Sequence, residues 1–456
     1  MDCTCVFRRL PPDLQHIVIE YDRRVIFNLS KSDLDNYDWF KLIKRIFSLS
    51  YDKSTSSGEQ IMNAYMHNCR RRSNIICGYS FTIVRTNEKK LMSGGLEGGN
   101  NFFKEIILPG NVSEIIPSES HLIIKSKDGT LMRTEFAYYN CHGNNFEIIG
   151  NVGNDYVEVV NKSSNVILRF GNGTLMVWGK NKSGQLGIGH ALPVKIFETI
   201  PRLNNVVEIS CSDAHTIIKL RDGTLLSSGS NTYGELGLGD NVSRNIFCEI
   251  KHIPKNISKI TCGANYSLIH LMDGTLMICG VNSFGNFGLG DSIYKNVFHE
   301  IGLLPKNIVD VFIHSTYSLI RLTDGTLMSC GNNQYGELGL GDDIERNLFC
   351  EIRGIPKNIV EIACGSYFTI IRLTDGTLMG CGWNGCGQLG LDDTSNRNIF
   401  ERIPAVPKNI SEVKCGGGHT IIQLTDGTIM GCGHNGNGQL GLGDTICRTK
   451  FEKIFI

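Results

Sequence analysis

One phrase returns along the chain at a constant interval. LRDGTLLSSG ends at Gly229, LMDGTLMICG at Gly280, LTDGTLMSCG at Gly331, LTDGTLMGCG at Gly382 and LTDGTIMGCG at Gly433. Their aspartates, Asp222, Asp273, Asp324, Asp375 and Asp426, stand 51 residues apart four times running. Earlier copies are FGNGTLMVWG, ending at Gly179, SKDGTLMRTE around Asp128, and a degenerate RTNEKKLMSGG from Arg85 to Gly95. That makes eight copies, the first two shorter, at 40 and 44 residues between equivalent points. A period of this length means a stack of supersecondary units, each burying its faces against its neighbours.

Each copy reads as four short strands. In the copy beginning near Asn358, IVEIAC reads as a buried strand and FTIIRL is β-branched and apolar. Asp375-Gly376 then marks a two-residue type I′ hairpin turn. TLMGCG is the return strand, WNGCGQLGLDD a glycine-rich loop, NIFERI a fourth strand, and VPKN the turn into the next copy. Four strands per unit at a constant period predict an all-β fold, a β-propeller of four-stranded blades. The first unit begins near Asn74, and the final FEKIFI repeats the fourth-strand phrase seen at Phe247, Phe298, Phe349 and Phe400. Closure then packs the first blade directly on the last, either as it stands or with one strand exchanged.

These phrases resemble the regulator of chromosome condensation repeat family. The last copy carries Cys415-Gly416-Gly417-Gly418-His419-Thr420, Asp426-Gly427-Thr428, Gly433, Asn435 and Gly438-Gln439-Leu440-Gly441; the third carries Trp178-Gly179-Lys180-Asn181 and Gly184-Gln185-Leu186-Gly187. The likeness runs over about residues 74 to 456, strongest from Asn165 onward. The family norm is seven blades and the repeat count is eight, so both numbers stand as expectations. The family's tryptophan before glycine is present only as Trp178; later copies have Ser228, Cys279, Cys330, Cys381 and Cys432.

Residues 1–72 differ and are expected to form a small α-helical segment and linker ahead of a propeller at 73–456. Leu10-Pro11-Pro12-Asp13 precedes Leu14, Ile17, Val18 and Tyr21 at helical spacing, and Trp39, Ile43, Ile46 and Phe47 form a second stripe entered by Ser32-Asp33. This start resembles an F-box over about 40 residues. The resemblance implies docking onto a Skp-type adaptor through Leu10, Pro11, Leu14, Ile17 and Trp39. Arg70-Arg71-Arg72 marks the border.

The candidate chemistry dissolves on inspection. Cys211, Cys262, Cys364 and Cys415 share one register, and Cys279, Cys330, Cys381 and Cys432 another. Equivalent positions on successive blades lie on a ring, too far apart for one metal ion, so they read as small buried hydrophobes. The position of His419 holds His215, Tyr266, Tyr317 and Phe368 in other copies, which a catalytic histidine would not tolerate; a planar filler of an inter-blade slot fits. Asp240, Asp291, Asp342 and Asp444 offer one carboxylate per blade, a turn-capping pattern and not a calcium cage. Gly234-Glu235-Leu236-Gly237 lacks a phosphate-binding lysine and a following helix. No catalytic, metal or cofactor residue is therefore expected, and the protein reads as no enzyme.

Lys+Arg and Asp+Glu are both 45, so nothing in the overall charge advertises nucleic-acid binding. No apolar run is long enough to cross a membrane. The start lacks a secretory pattern, so the 17 cysteines are expected reduced, in cytoplasm or nucleus. The family's ultraviolet-B sensors use clustered tryptophans, and the three here, Trp39, Trp178 and Trp383, do not supply them. The abundance of Ile, Asn and Lys resembles proteins of AT-rich genomes, giant DNA viruses among them. The expected function is a non-enzymatic protein–protein interaction scaffold with partners on the propeller's loop faces, in its sharper form a substrate receptor of a cullin-type ubiquitin ligase. The alternative implied by the resemblance is guanine-nucleotide exchange on a Ran-like small GTPase. Exchange in the family requires a hairpin projecting from one blade, and the regular 51-residue spacing leaves no room for one in the later blades.

Overall fold

The computed structural model describes residues 74–86, 90–95, 101–117, 121–135, 146–153, 155–162, 164–302, 304–314 and 316–455. The helical segment expected within residues 1–72, with Leu10, Pro11, Leu14, Ile17 and Trp39, lies outside them. The described residues form eight antiparallel sheets of four strands, each sheet made of four consecutive strands. We number the blades 1 (75–105), 2 (112–151), 3 (156–199), 4 (206–249), 5 (257–300), 6 (308–351), 7 (359–402) and 8 (410–454). The count of eight holds over the family norm of seven, because the degenerate first copy, which has lost its Asp-Gly-Thr, still pairs as a complete blade. No described helix is long and apolar enough to cross a membrane.

Blade 4 shows the local logic. Its strands are Val206–Cys211, His215–Leu220, Leu225–Gly229 and Arg244–Glu249. The second strand, HTIIKL, is buried on both faces over most of its length because a neighbouring blade covers each side. The fourth strand alternates toward exposure, as an outer edge does. First strands of adjacent blades approach one another around the centre.

The hairpin between second and third strands differs from the expected two-residue turn. Gly223 N–H donates to Leu220 O (3.0 Å) and Leu220 N–H to Thr224 O (2.8 Å). The loop is therefore three residues, with positive φ (84°) at Gly223 alone; Asp222 stays right-handed. Asp222 instead caps the turn, accepting Thr224 N–H at 3.0 Å, and the pattern recurs at Asp273, Asp324, Asp375 and Asp426. Capping therefore explains the aspartate.

The glycine-rich loop has a brace and a reach. Asn231 accepts Leu236 N–H (2.9 Å) and donates to the Asp240 carbonyl (2.8 Å), while Asp240 accepts Val242 N–H (2.9 Å) and pairs with Arg244 (2.6 Å). These are the turn-capping aspartates anticipated above. The loop then overlies the next blade: Gly239 N–H donates to Asn296 O (2.8 Å), and a Cβ on Gly237 would stand 2.5 Å from the Phe298 ring. The same hydrogen bond recurs between blades 3 and 4, 5 and 6, 6 and 7, and 7 and 8.

It also closes the ring. Gly443 in blade 8 donates to Asn101 O of blade 1 (2.8 Å), Leu442 bridges Phe102, and Phe103 lies under Gly441, whose φ is +62° and whose absent Cβ would meet that ring at 1.9 Å. Ile75, Val84 and Phe103 share one core with Ile421, Leu440 and Ile454. Closure is thus direct, with no exchanged strand.

Between blades 7 and 8 the donor is Asp392, at φ +71°, where other copies have glycine. Asp392→Gly relieves this left-handed conformation, and we expect a gain of about 0.5 kcal/mol. A lower urea midpoint would mean that the exposed Asp392–Lys450 pair (2.8 Å) matters more.

Candidate functional site

The residues that recur from copy to copy are consumed by the architecture. Cys279, Cys330, Cys381 and Cys432 are buried, each thiol directed at a carbonyl of the preceding blade at 3.4–3.6 Å, and burial pushes all four thiols well up. In the other register, Cys262 and Cys415 point at Ser210 O and Ala363 O of the preceding blade. Trp178 fills the family position, donating to Lys195 O (3.2 Å) under the Arg133 guanidinium.

The planar slot reaches across each seam. His215 Nε2 bonds Ser267 Oγ (2.9 Å), Tyr317 OH donates to Phe368 O (2.9 Å), and His419 Nε2 bonds Thr82 Oγ1 of blade 1 (2.9 Å). Burial pushes His215 down to about 4 and His419 to about 3, so both are neutral fillers near neutral pH.

What breaks the repeat is more informative. Turns between first and second strands share a face with the long third-to-fourth-strand loops, by antiparallel geometry. On that face Tyr79 of blade 1, Tyr335 of blade 6, Tyr367 and Trp383 of blade 7 and His434 of blade 8 line one recess of about 360 Å³. Tyr335 meets Tyr367 edge to face, with centroids 5.4 Å apart, and Trp383 at 6.5 Å, tilted 49°. Tyr79 is 71% exposed, so its ring is available to a partner.

Glycines make the room. A Cβ on Gly417 would fall 2.7 Å from the Tyr79 ring, and one on Gly418 3.3 Å from Trp383. Trp383 and His434 occupy the site that holds Lys180, Ser230, Val281 or Asn332 in other copies.

Among the described residues no lysine or arginine lines the recess. His434 Nδ1 accepts from Gln439 Nε2 (2.6 Å), and its burial holds its pKa below the ordinary value. Beneath Tyr335 lies Glu337, fully buried, with Oε2 accepting Tyr335 N–H (2.8 Å) and Oε1 unpartnered. Gln185 and Asn286 at this position donate to the next blade's turn (3.0 Å each), which a carboxylate cannot do. Burial raises the Glu337 carboxyl, and nearby Asp343 and Glu345 push it the same way. Both are exposed and form no ion pair among the described residues.

Sequence reasoning did not assemble this site. Of its aromatic members the sequence analysis names only Trp383, as one of three tryptophans, and it names Gly417 and Gly418 only as part of a repeat motif; the available signal is aromatic residues at positions where the repeat varies. Two further recesses, of about 290 Å³ between blades 5 and 6 and about 500 Å³ between blades 8 and 1, are lined mainly by strand residues with lysines present. The expected adaptor-binding residues Leu10, Pro11, Leu14, Ile17 and Trp39 are outside the described structure.

Residues 174–454 match the RCC1-like domain. The chain is 31% identical over 218 residues to the human probable E3 ubiquitin-protein ligase HERC4, covering 44% of this chain and 20% of that protein. It is 30% identical over 200 residues to the ultraviolet-B receptor UVR8 of Arabidopsis thaliana, covering 42% of this chain and 44% of the receptor. The chain thus spans a fifth to under half of these relatives. Human WBSCR16 superposes with a TM-score of 0.52 at 19% identity, over 78% of this chain and 84% of that one. Yeast RCC1 (Prp20), solved bound to Kap60, superposes at 0.51 and 18% identity, over 66% and 75%. Both likenesses concern the fold.

Proposed function

On the premise that this chain belongs to the RCC1-like domain family, we propose that it is a non-enzymatic protein-interaction scaffold that recognises its partner at the blade 6–7–8–1 recess. The observation that carries this reading is that Tyr79, Tyr367 and Trp383, at positions where most other copies have small, polar or aliphatic residues, come together with Tyr335 at one place on a repeated ring. Large aromatic rings in a preformed recess are what protein-recognition hot spots use. The buried cysteines and histidines have packing partners across the seams and are spoken for by the fold.

In its sharper form, residues 1–72 dock a Skp-type adaptor through Leu10, Pro11, Leu14, Ile17 and Trp39, and the propeller holds the substrate of a cullin-type ubiquitin ligase. The F-box-like start and the likeness to a probable E3 ligase support this reading. The test uses purified adaptor and full-length chain. We expect a stable complex that Leu14→Asp weakens about a hundredfold, since a charge replaces an apolar anchor at an interface core (~3 kcal/mol), while Trp383→Ala leaves it unchanged. No binding by the parent chain would remove the ligase form. Every described strand belongs to one of the eight blades, so no projecting hairpin stands among the described residues. Accelerated nucleotide release from a purified Ran-type GTPase would nonetheless overturn the scaffold reading in favour of exchange.

A further inference from the structure

We propose that the aromatic recess binds a trimethylammonium group, presented as a trimethylated lysine side chain of a partner protein. This rests on the recess being the recognition site and adds the chemistry of what enters it.

The argument is one of charge and solvation. Tyrosine and tryptophan faces carry the negative lobe of the ring quadrupole and attract cations. Tyr79, Tyr335, Tyr367 and Trp383 present such rings from three blades around a floor of Gly417 and Gly418. Among the described residues no lysine or arginine lines the recess to compete for them, and His434 is held toward its neutral form. Asp343 and Glu345, on the Tyr335 loop, are unpaired among the described residues, and Glu337 lies buried beneath it. The surroundings are therefore complementary to positive charge.

Among the described residues no carboxylate stands in the lining itself, and this selects among cations. A primary ammonium is a strongly hydrated point charge with three N–H donors, and a guanidinium seeks a bidentate carboxylate. Either would leave water behind for rings that cannot accept those hydrogen bonds well. A quaternary ammonium has no N–H, spreads its charge over methyl groups and gives up little on entering an aromatic recess.

The test uses the full chain at low salt and three capped tripeptides centred on trimethyllysine, on unmodified lysine, and on the neutral tert-butyl isostere of trimethyllysine. Binding is read by calorimetry and by Trp383 fluorescence. We expect saturable binding of the trimethyllysine peptide, with both other peptides weaker by about tenfold. Tyr335→Ala and Trp383→Ala should each weaken it by a similar factor, and Asp343→Asn with Glu345→Gln by about twofold, an effect that vanishes at high salt. Equal binding of the cation and its neutral isostere overturns the proposal while leaving an apolar recognition site. Absence of binding by all three peptides also overturns it. The fate of the broader reading is then told by proximity labelling of partner proteins: loss of labelled partners in the Tyr335→Ala/Trp383→Ala variant keeps the recess as recognition site for another chemistry, and an unchanged set removes it.

Discussion

Phe103→Ala is expected to cost about 3–5 kcal/mol of folding stability, the range for emptying a buried aromatic site. Phe103 is the residue that blade 8 grips: its ring lies beneath Gly441 and packs in the core shared by Ile75, Val84, Ile421 and Leu440. It does for the closing seam what Phe298 does between blades 4 and 5 and Phe349 between 5 and 6. Phe298→Ala should therefore cost about as much, because the closing contact is built like the internal ones. Domains are stable by only about 5–15 kcal/mol, so either variant removes a large share. The check is urea denaturation of parent, Phe103→Ala and Phe298→Ala, with limited proteolysis to locate the opening. A cost below about 1 kcal/mol for Phe103→Ala, against the full cost for Phe298→Ala, would show that blades 1 and 8 are not joined as described.

Mild acid is the second large lever. His121 and His215 are held down to about 4 and His419 to about 3, in each case first by burial. Their ordinary value is 6.5. Above that pH these imidazoles are neutral in both folded and unfolded chain and contribute no pH dependence. Below it the unfolded chain binds protons that the native fold refuses, so stability is lost as pH falls from about 6.5 toward 4. Each such histidine removes on the order of 1 kcal/mol per pH unit. His270, His299 and His434 shift in the same direction through partial burial. Unfolding midpoints in urea at pH 7.5, 6 and 5 should fall steeply. The repeat supplies its own control, since Tyr266, Tyr317 and Phe368 fill the same slot. The double variant His215→Tyr/His419→Phe should show a clearly shallower slope, and an undiminished one would place the acid sensitivity elsewhere.

The scaffold was legible because it is written many times. The Asp-Gly-Thr phrase, followed into its Asn172-Gly173-Thr174 form and the degenerate RTNEKKLMSGG, counts eight blades, and that count proved better than the family norm. The turn type was misread because Asp-Gly serves two hairpin geometries, and which one forms depends on how the flanking leucine and threonine pair. Closure was half legible: Asn101-Phe102-Phe103-Lys104-Glu105-Ile106 repeats the phrase Asn245-Ile246-Phe247-Cys248-Glu249-Ile250, but it sits in the copy whose other markers have drifted. The recess was not legible. Tyr79, Tyr335 and Trp383 occupy variable positions far apart in the chain, and only the curvature of the ring brings them to one rim. In a repeat protein the recurring residues describe the frame, and the proposed recognition site draws on positions where the repeat varies.

The direct seam between blades 8 and 1 has a genetic consequence. No blade borrows a strand, so the seam between blades 8 and 1 is no different in kind from the seams between later blades. A permutation of the propeller that joins residue 455 to residue 74 by a short linker and opens the chain in the 304–307 linker is expected to keep every described sheet and seam. The order in which the blades are encoded is thus a historical accident that the folded ring does not remember.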